Sequence, residues 1–337
     1  MGNTVVVYGA TGHTGRFMVA ELRERGFGVI LSGRDAARLE AYAAEIGGAD
    51  IRPATADDAA ALDRALAGAD AVVNTAGPFA TTAGPVAAAA ARAGIPYVDV
   101  AAEIEANADT FADNAGATTP IVPAMAFYGG LGDLLVTALM GEWTAADEVH
   151  VAYGLNGWHP TEGSRVAGAV SVERRGGKRV RFREGALEYH AEDLLRQKWS
   201  FPEPLGERDV VAEFTMADVV TVPSHFAVPE VRTYMSAEAA GDIADKDTPT
   251  PVAADDSGRS NQTFVVDVRV RAGGVERRAI ARGRDTYAVT APLAAEAVER
   301  LLSGRAKVSG VASAGAMFDA ADFLRALSPH IEVEFQD

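Results

Sequence analysis

The chain has 337 residues, 48% hydrophobic and 23% charged, which is more than one compact core usually holds and unlike a disordered composition. A formal net charge of -16 repels polyanions, so a nucleic-acid backbone or an anionic membrane is excluded as a partner. With no cysteine, disulfides, thiolate nucleophiles, iron–sulfur clusters and cysteine-ligated zinc are excluded too, and the six histidines show no metal-ligand spacing.

The first residues run straight into Val5-Val6-Val7-Tyr8 without a basic region or cleavage site. No apolar run approaches the roughly 18 residues that span a bilayer. A cytoplasmic protein is therefore expected. Short apolar runs predict strands over 4–8, 28–32, 50–54, 71–75, 97–100 and 121–124. Ala- and Leu-rich stretches between them predict helices over 15–25, 36–46, 58–67, 84–93 and 104–115. Such alternation means βαβ units and a parallel sheet covered on both faces.

After a helix predicted over 131–143 the texture changes. Strands are expected over 149–155, 179–183, 210–214, 219–222, 231–234, 264–270 and 277–282, with Gly273-Gly274 as a hairpin turn. Few helices intervene, which points to a mostly antiparallel sheet. Residues 245–262 read as an exposed loop, and 291–302 as a helix capped by Thr290 and stopped by Gly304. The expected fold is α/β: a Rossmann-type domain over 1–125, then an α+β domain over 126–337 whose C-terminal helices return towards the first.

Gly9-Ala10-Thr11-Gly12-His13-Thr14-Gly15 follows the first strand and opens the first helix. Gly9 permits a tight turn, Gly12 lets backbone approach a pyrophosphate, and Gly15 lets helix pack on strand. The helix N-terminus faces the phosphates, so Thr11, His13 and Thr14 are placed at the dinucleotide. The second strand ends in Ser32-Gly33-Arg34 rather than in an acid. Ser32 and the guanidinium fork of Arg34 suit a 2′-phosphate, so NADP is favoured over NAD, with Asp35 read as the next helix cap. Asn74-Thr75-Ala76-Gly77-Pro78-Phe79 leaves the fourth strand at the ligand-binding edge, which places Asn74, Ala76, Gly77 and Pro78 near the nicotinamide-side ribose.

These motifs, together with Gly84-Pro85-Val86 and Tyr97-Val98-Asp99-Val100-Ala101-Ala102-Glu103, resemble the saccharopine dehydrogenase-like oxidoreductases. The likeness covers about the first 140 residues; beyond them, Tyr287-Ala288-Val289-Thr290-Ala291 is similar as well. It implies an NADP-binding Rossmann domain and a second domain whose sheet closes the active site over an imine, enoyl or carbonyl substrate. At 127–133 this chain departs from the Asp, Pro and Ser common in that family.

No tyrosine has a lysine four positions on, which excludes the Tyr-x-x-x-Lys proton donor. The remaining candidates stand where one domain hands over to the next: Tyr128 in a glycine-flanked loop, and His159 in a polar-aromatic loop, where imidazole can donate a proton near neutral pH. Asp133 and Glu103 read as acids at helix starts. The resulting expectation is an NADPH-dependent reductase delivering hydride to a C=N, C=O or conjugated C=C bond of a small molecule, without metal and with a homodimer as working assembly. A non-enzymic NADP-binding redox regulator is the alternative.

Overall fold

The computed structural model describes residues 2–214 and 216–336. Its first half alternates strand and helix. β1 (Thr4–Tyr8), α1 (His13–Glu24), β2 (Gly28–Gly33), α2 (Ala36–Glu45), β3 (Asp50–Pro53) and α3 (Ala59–Leu66) are followed by β4 (Ala71–Asn74), α4 (Phe79–Ala93), β5 (Tyr97–Asp99), α5 (Ile104–Asp113) and β6 (Ile121–Val122). All strand pairs are parallel, in the order β3-β2-β1-β4-β5-β6. The order reverses between β1 and β4, and such a switch point opens a crevice at the carboxyl ends of the strands. The apolar runs are continuous because helices cover both faces: Val5, Val7 and Val73 belong to one cluster, Val6 and Val72 to the other.

A π-type turn over Phe127–Leu131 leads into α6 (Gly132–Met140). The second sheet follows: β7 (Glu148–Leu155), α7 (Glu162–Arg174), β8 (Arg179–Arg183), β9 (Ala186–His190), β10 (Arg196–Ser200), β11 (Glu207–Ala212), α8 (Asp218–Thr221), β12 (Val231–Ser236), α9 (Ala237–Ala244), β13 (Thr263–Ala272) and β14 (Val275–Arg284). α10 (Thr290–Leu302), α11 (Ala314–Met317), α12 (Ala320–Ala326) and β15 (Ile331–Gln336) complete the chain. The order is β10-β11-β12-β7-β13-β14-β15, with β8 and β9 beside β12. Among the described residues every pair is antiparallel except β7 with β12. Strict alternation along β7 sends Val149, Val151, Tyr153 and Leu155 into the main core and leaves His150 and Ala152 on the other face.

Residues 219–222 form no strand: they are helical in α8 and a 3-10 turn. Val219 and Val222 are buried, and an apolar run buried all round has no period to tell strand from helix. β9, β10 and β15 lie outside the predicted strands because their sequences are largely exposed and charged. α10 packs on α1, where Arg25 bridges Glu21 at 2.8 Å and Glu296 at 2.7 Å. Among the described residues no helix is long and apolar enough to cross a membrane, and no group of three His, Asp or Glu is placed to hold a metal.

Candidate functional site

β1 lies between β2 and β4, so the turn after Tyr8 stands at the crevice. Gly9 has φ +90°, and a Cβ there would lie 2.8 Å from the Ala76 nitrogen. A Cβ on Gly15 would overlap the Gly9 carbonyl oxygen, which fixes how closely α1 approaches the strand. Gly12 is different: it is exposed, and among the described residues a Cβ would meet only the Gly9 oxygen at 3.2 Å, so packing does not require a glycine there. No side chain caps α1 and no acid stands in its first turn. By contrast, Asp35 caps α2 by accepting from the Arg38 N–H at 3.0 Å, and Asp58 caps α3 by accepting from the Ala61 N–H at 2.9 Å. The uncapped helix start of α1, flanked by half-buried Thr11, His13 and Thr14, fits a pyrophosphate.

The Ser32 carbonyl accepts from the Gly9 and Ala10 N–H groups at 2.8 and 3.2 Å, and the buried Ser32 hydroxyl donates to the Arg52 carbonyl at 2.8 Å. Ser32 is thus committed to the turn itself. Arg34 is exposed and forms no ion pair among the described residues, while Asp35 is held as a helix cap. A free guanidinium and an occupied carboxylate fit a 2′-phosphate better than bare ribose hydroxyls.

Asn74 is fully buried. Its amide donates to the Thr82 hydroxyl at 3.3 Å and the Tyr97 hydroxyl at 3.2 Å, and its Oδ1 accepts from the Ala76 N–H at 3.0 Å. Tyr97 in turn donates to Asp99 at 2.9 Å, and Asp99 accepts from Ala101 and Ala124. Burial raises the Asp99 carboxyl, and these three donors oppose it. Asn74 therefore shapes the loop that presents Ala76, Gly77 and Pro78, all partly or fully accessible. Glu103 directly precedes α5, yet its carboxylate serves another helix: it accepts from the Phe79 and Ala80 N–H groups at 2.8 and 3.2 Å and so closes the start of α4. Burial raises its pKa against those bonds. α7 lies over the same loop, with Ala167 3.9 Å from where a Gly77 Cβ would stand.

The opposite wall is aromatic. Tyr128 is held in the π-type turn, where Gly129 takes φ +100° and donates to the Tyr153 hydroxyl at 3.5 Å. The Tyr128 ring lies 5.0 Å from both Tyr153 and Trp158. Among the described residues its hydroxyl is buried without a hydrogen-bond partner, and burial holds it well above the ordinary tyrosine range. Trp158 donates through Nε1 to the Tyr287 hydroxyl at 3.0 Å, which also accepts from the Thr161 N–H at 3.2 Å. The Tyr287 ring meets His13 edge-on at 5.2 Å, and His13 Nε2 is a second buried atom without a partner. Burial lowers the His13 pKa, and the charge of Asp285 opposes that shift. His159 follows Trp158 and is exposed.

Behind this wall Tyr153 donates to Asp218 at 3.0 Å, and burial pushes the Asp218 carboxyl up to about 7. Asp133, in the first turn of α6, is fully buried and bonded to His225 at 2.7 Å and to the Gly315 N–H at 2.6 Å, so it holds the core. Sequence reasoning did not find the roles of Tyr287 and Glu103. Each acts on a residue distant in sequence, and no local spacing signals that.

Residues 5–121 match the family model of the saccharopine dehydrogenase NADP binding domain. The fold is similar to that of apo saccharopine dehydrogenase (L-Glu forming) from Saccharomyces cerevisiae, with 14% identity, a TM-score of 0.69 and 100% of both chains covered. A partial likeness is to Citrobacter sp. triphenylmethane reductase complexed with NADP(H), at 22% identity, TM-score 0.27, 30% of this chain and 38% of that one. No curated protein matches the chain by sequence.

Proposed function

We propose that the chain is an NADP-dependent oxidoreductase of the saccharopine dehydrogenase-like family, a reading supported by the NADP-binding family model over residues 5–121 and by the fold, and that it is a reductase acting on a C=N, C=O or conjugated C=C bond of a small molecule. The observation that carries this reading is the Tyr128 hydroxyl, buried and unpartnered in an aromatic wall that reaches the glycine turn through Trp158, Tyr287 and His13. A buried polar atom with no partner calls for one, and here a substrate heteroatom fits.

Bound NADPH supplies a hydride at the nicotinamide. In this proposal residues 1–125 hold the cofactor. Gly9, Gly12 and Gly15 shape the phosphate turn, Thr11, His13 and Thr14 contact the phosphates, Arg34 holds the 2′-phosphate beside Ser32, and Asn74 presents Ala76, Gly77 and Pro78 to the ribose. Residues 126–337 close the cleft. Tyr128 stays protonated across the physiological range, since burial raises its pKa, and so serves as donor to the negative charge that a reduced carbonyl develops. His159, at the exposed mouth beside Trp158, is the alternative donor. An iminium needs neither. A homodimer and a cytoplasmic setting complete the proposal.

The test is a panel of imines, carbonyls and enoyl compounds, following loss of NADPH absorbance with wild type and Tyr128→Phe. Turnover of one class, lowered in the variant at unchanged NADPH affinity, is expected. NADPH binding without turnover across the panel would favour the redox regulator.

A further inference from the structure

The face of the second sheet turned away from the dinucleotide carries a feature that hydride transfer does not use. Register places Arg232 of β12 opposite His150 of β7, His150 opposite Arg269 of β13, and Arg269 opposite Arg278 of β14. Four adjacent strands thus carry basic residues in one cross-strand row. Like charges directly opposite one another are destabilising. Fully buried Asp267 offsets part of this row, pairing with Arg278 at 2.8 Å and Arg269 at 3.2 Å and accepting from the Trp199 indole at 2.8 Å. Arg232 and His150 lie beyond its reach.

Beside this row is a groove of ≈ 300 Å³. Lys198, Arg232, Arg269 and Arg271 converge on it, with His150 and the Trp199 ring between them, and among the described residues its lining contains no acid. The carboxylates that meet these cations approach from outside the lining: Glu230 on Arg232, Glu148 and Glu276 on Arg271, Asp209 on Lys198. Glu148 also reaches His150 Nε2 at 3.1 Å. Arg269 stacks on Trp199 at 4.5 Å, and among the described residues its Nε is buried without a partner. In a chain of net charge -16, a groove lined only by cations, neutral polar groups and aromatic rings is an anomaly of placement.

We propose that this groove is a second binding site, for the oxyanion of a small molecule, a phosphate or a carboxylate, on the sheet face opposite the cofactor cleft. Guanidinium forks match both groups, and the volume suits a small metabolite. β7 carries both faces: His150 points to the groove, and Tyr153, three residues on, packs on Tyr128.

The experiment is calorimetric titration of the full chain with inorganic phosphate or succinate, at constant ionic strength in chloride. Saturating NADP⁺ keeps the dinucleotide site occupied. Saturable one-to-one binding in the millimolar range or tighter is expected, weakened about tenfold or more by Arg269→Gln. Arg232→Gln, at a half-exposed position, keeps the test available if Arg269→Gln does not fold, and the same weakening is expected of it. Tighter phosphate assigns a phosphoryl ligand, and tighter succinate a carboxylate. Heat without saturation, or binding unchanged in the folded variants, overturns the proposal.

Discussion

The ring of Tyr287 stands edge-on to the ring of His13, with centroids 5.2 Å apart and planes at 88°. One residue belongs to the glycine turn and the other follows β14, so the contact ties that turn to the segment after β14. The Tyr287 hydroxyl extends the tie by accepting from Trp158 and Thr161. Tyr287→Phe keeps the ring contact and leaves both donors without an acceptor, which costs roughly 1–3 kcal/mol of stability. NADPH affinity should barely move, while Trp158 emission shifts and turnover falls. Unchanged stability and emission would show that the hydroxyl holds nothing.

Arg34 tests the cofactor's phosphate. Charge-assisted hydrogen bonds contribute roughly 1.5–3 kcal/mol, so Arg34→Ala should weaken NADPH about tenfold to a hundredfold with little effect on NADH. The two titrations, run side by side, check the assignment. Equal losses for both cofactors would rule it out.

Gly12 and Gly15 separate ligand space from packing space. Gly12→Val meets only one carbonyl oxygen at 3.2 Å, so the fold should persist while the branched side chain fills the pyrophosphate position and abolishes binding. Gly15→Ala would press on the Gly9 oxygen and should lower the melting temperature instead. Calorimetric melting and NADPH titration of both variants distinguish these effects; near-native NADPH affinity in Gly12→Val would count against the site.

Tyr128 and His159 are told apart by substitution. Removing a positioned proton donor typically costs about 10²-fold or more in rate. If Tyr128 donates, Tyr128→Phe loses this factor at unchanged NADPH affinity. If His159 donates, the loss appears in His159→Ala instead, again at unchanged NADPH affinity. Retention of full turnover by both variants would leave the iminium substrate, which needs no donor.

Asp218 makes the stability of the protein depend on pH. Its carboxyl is raised from 3.8 to about 7 by burial, with the charge of Asp133 adding and the Tyr153 hydrogen bond opposing. A group raised on folding gives its full stability below the unfolded pKa and loses it as pH climbs through the folded one. That loss, spread between pH 4 and 7, amounts to about 4 kcal/mol. The stability of Asp218→Asn relative to wild type should therefore rise from pH 4 to 7 and level off above it. A difference that stays flat in chemical denaturation across this range would refute the linkage.

The parallel half was legible in the sequence because its signals are local. A strand buried on both faces reads as an apolar run such as Val5-Val6-Val7, and the spacing of Gly9, Gly12 and Gly15 marks the turn within seven residues. The hairpin at Gly273-Gly274 is local for the same reason. What only the tertiary structure decided are contacts between segments far apart in the chain. The Glu103 carboxylate closes the start of α4 rather than that of its own helix. Asn74 bonds Thr82, Tyr97 and Ala76 and so supports the loop from below. Residues 219–222 are helical, and burial of this apolar run left no period in the sequence to tell helix from strand. The Tyr128 ring packs against those of Phe127, Tyr153 and Trp158, its buried hydroxyl has no partner among the described residues, and burial of that kind is a property of packing.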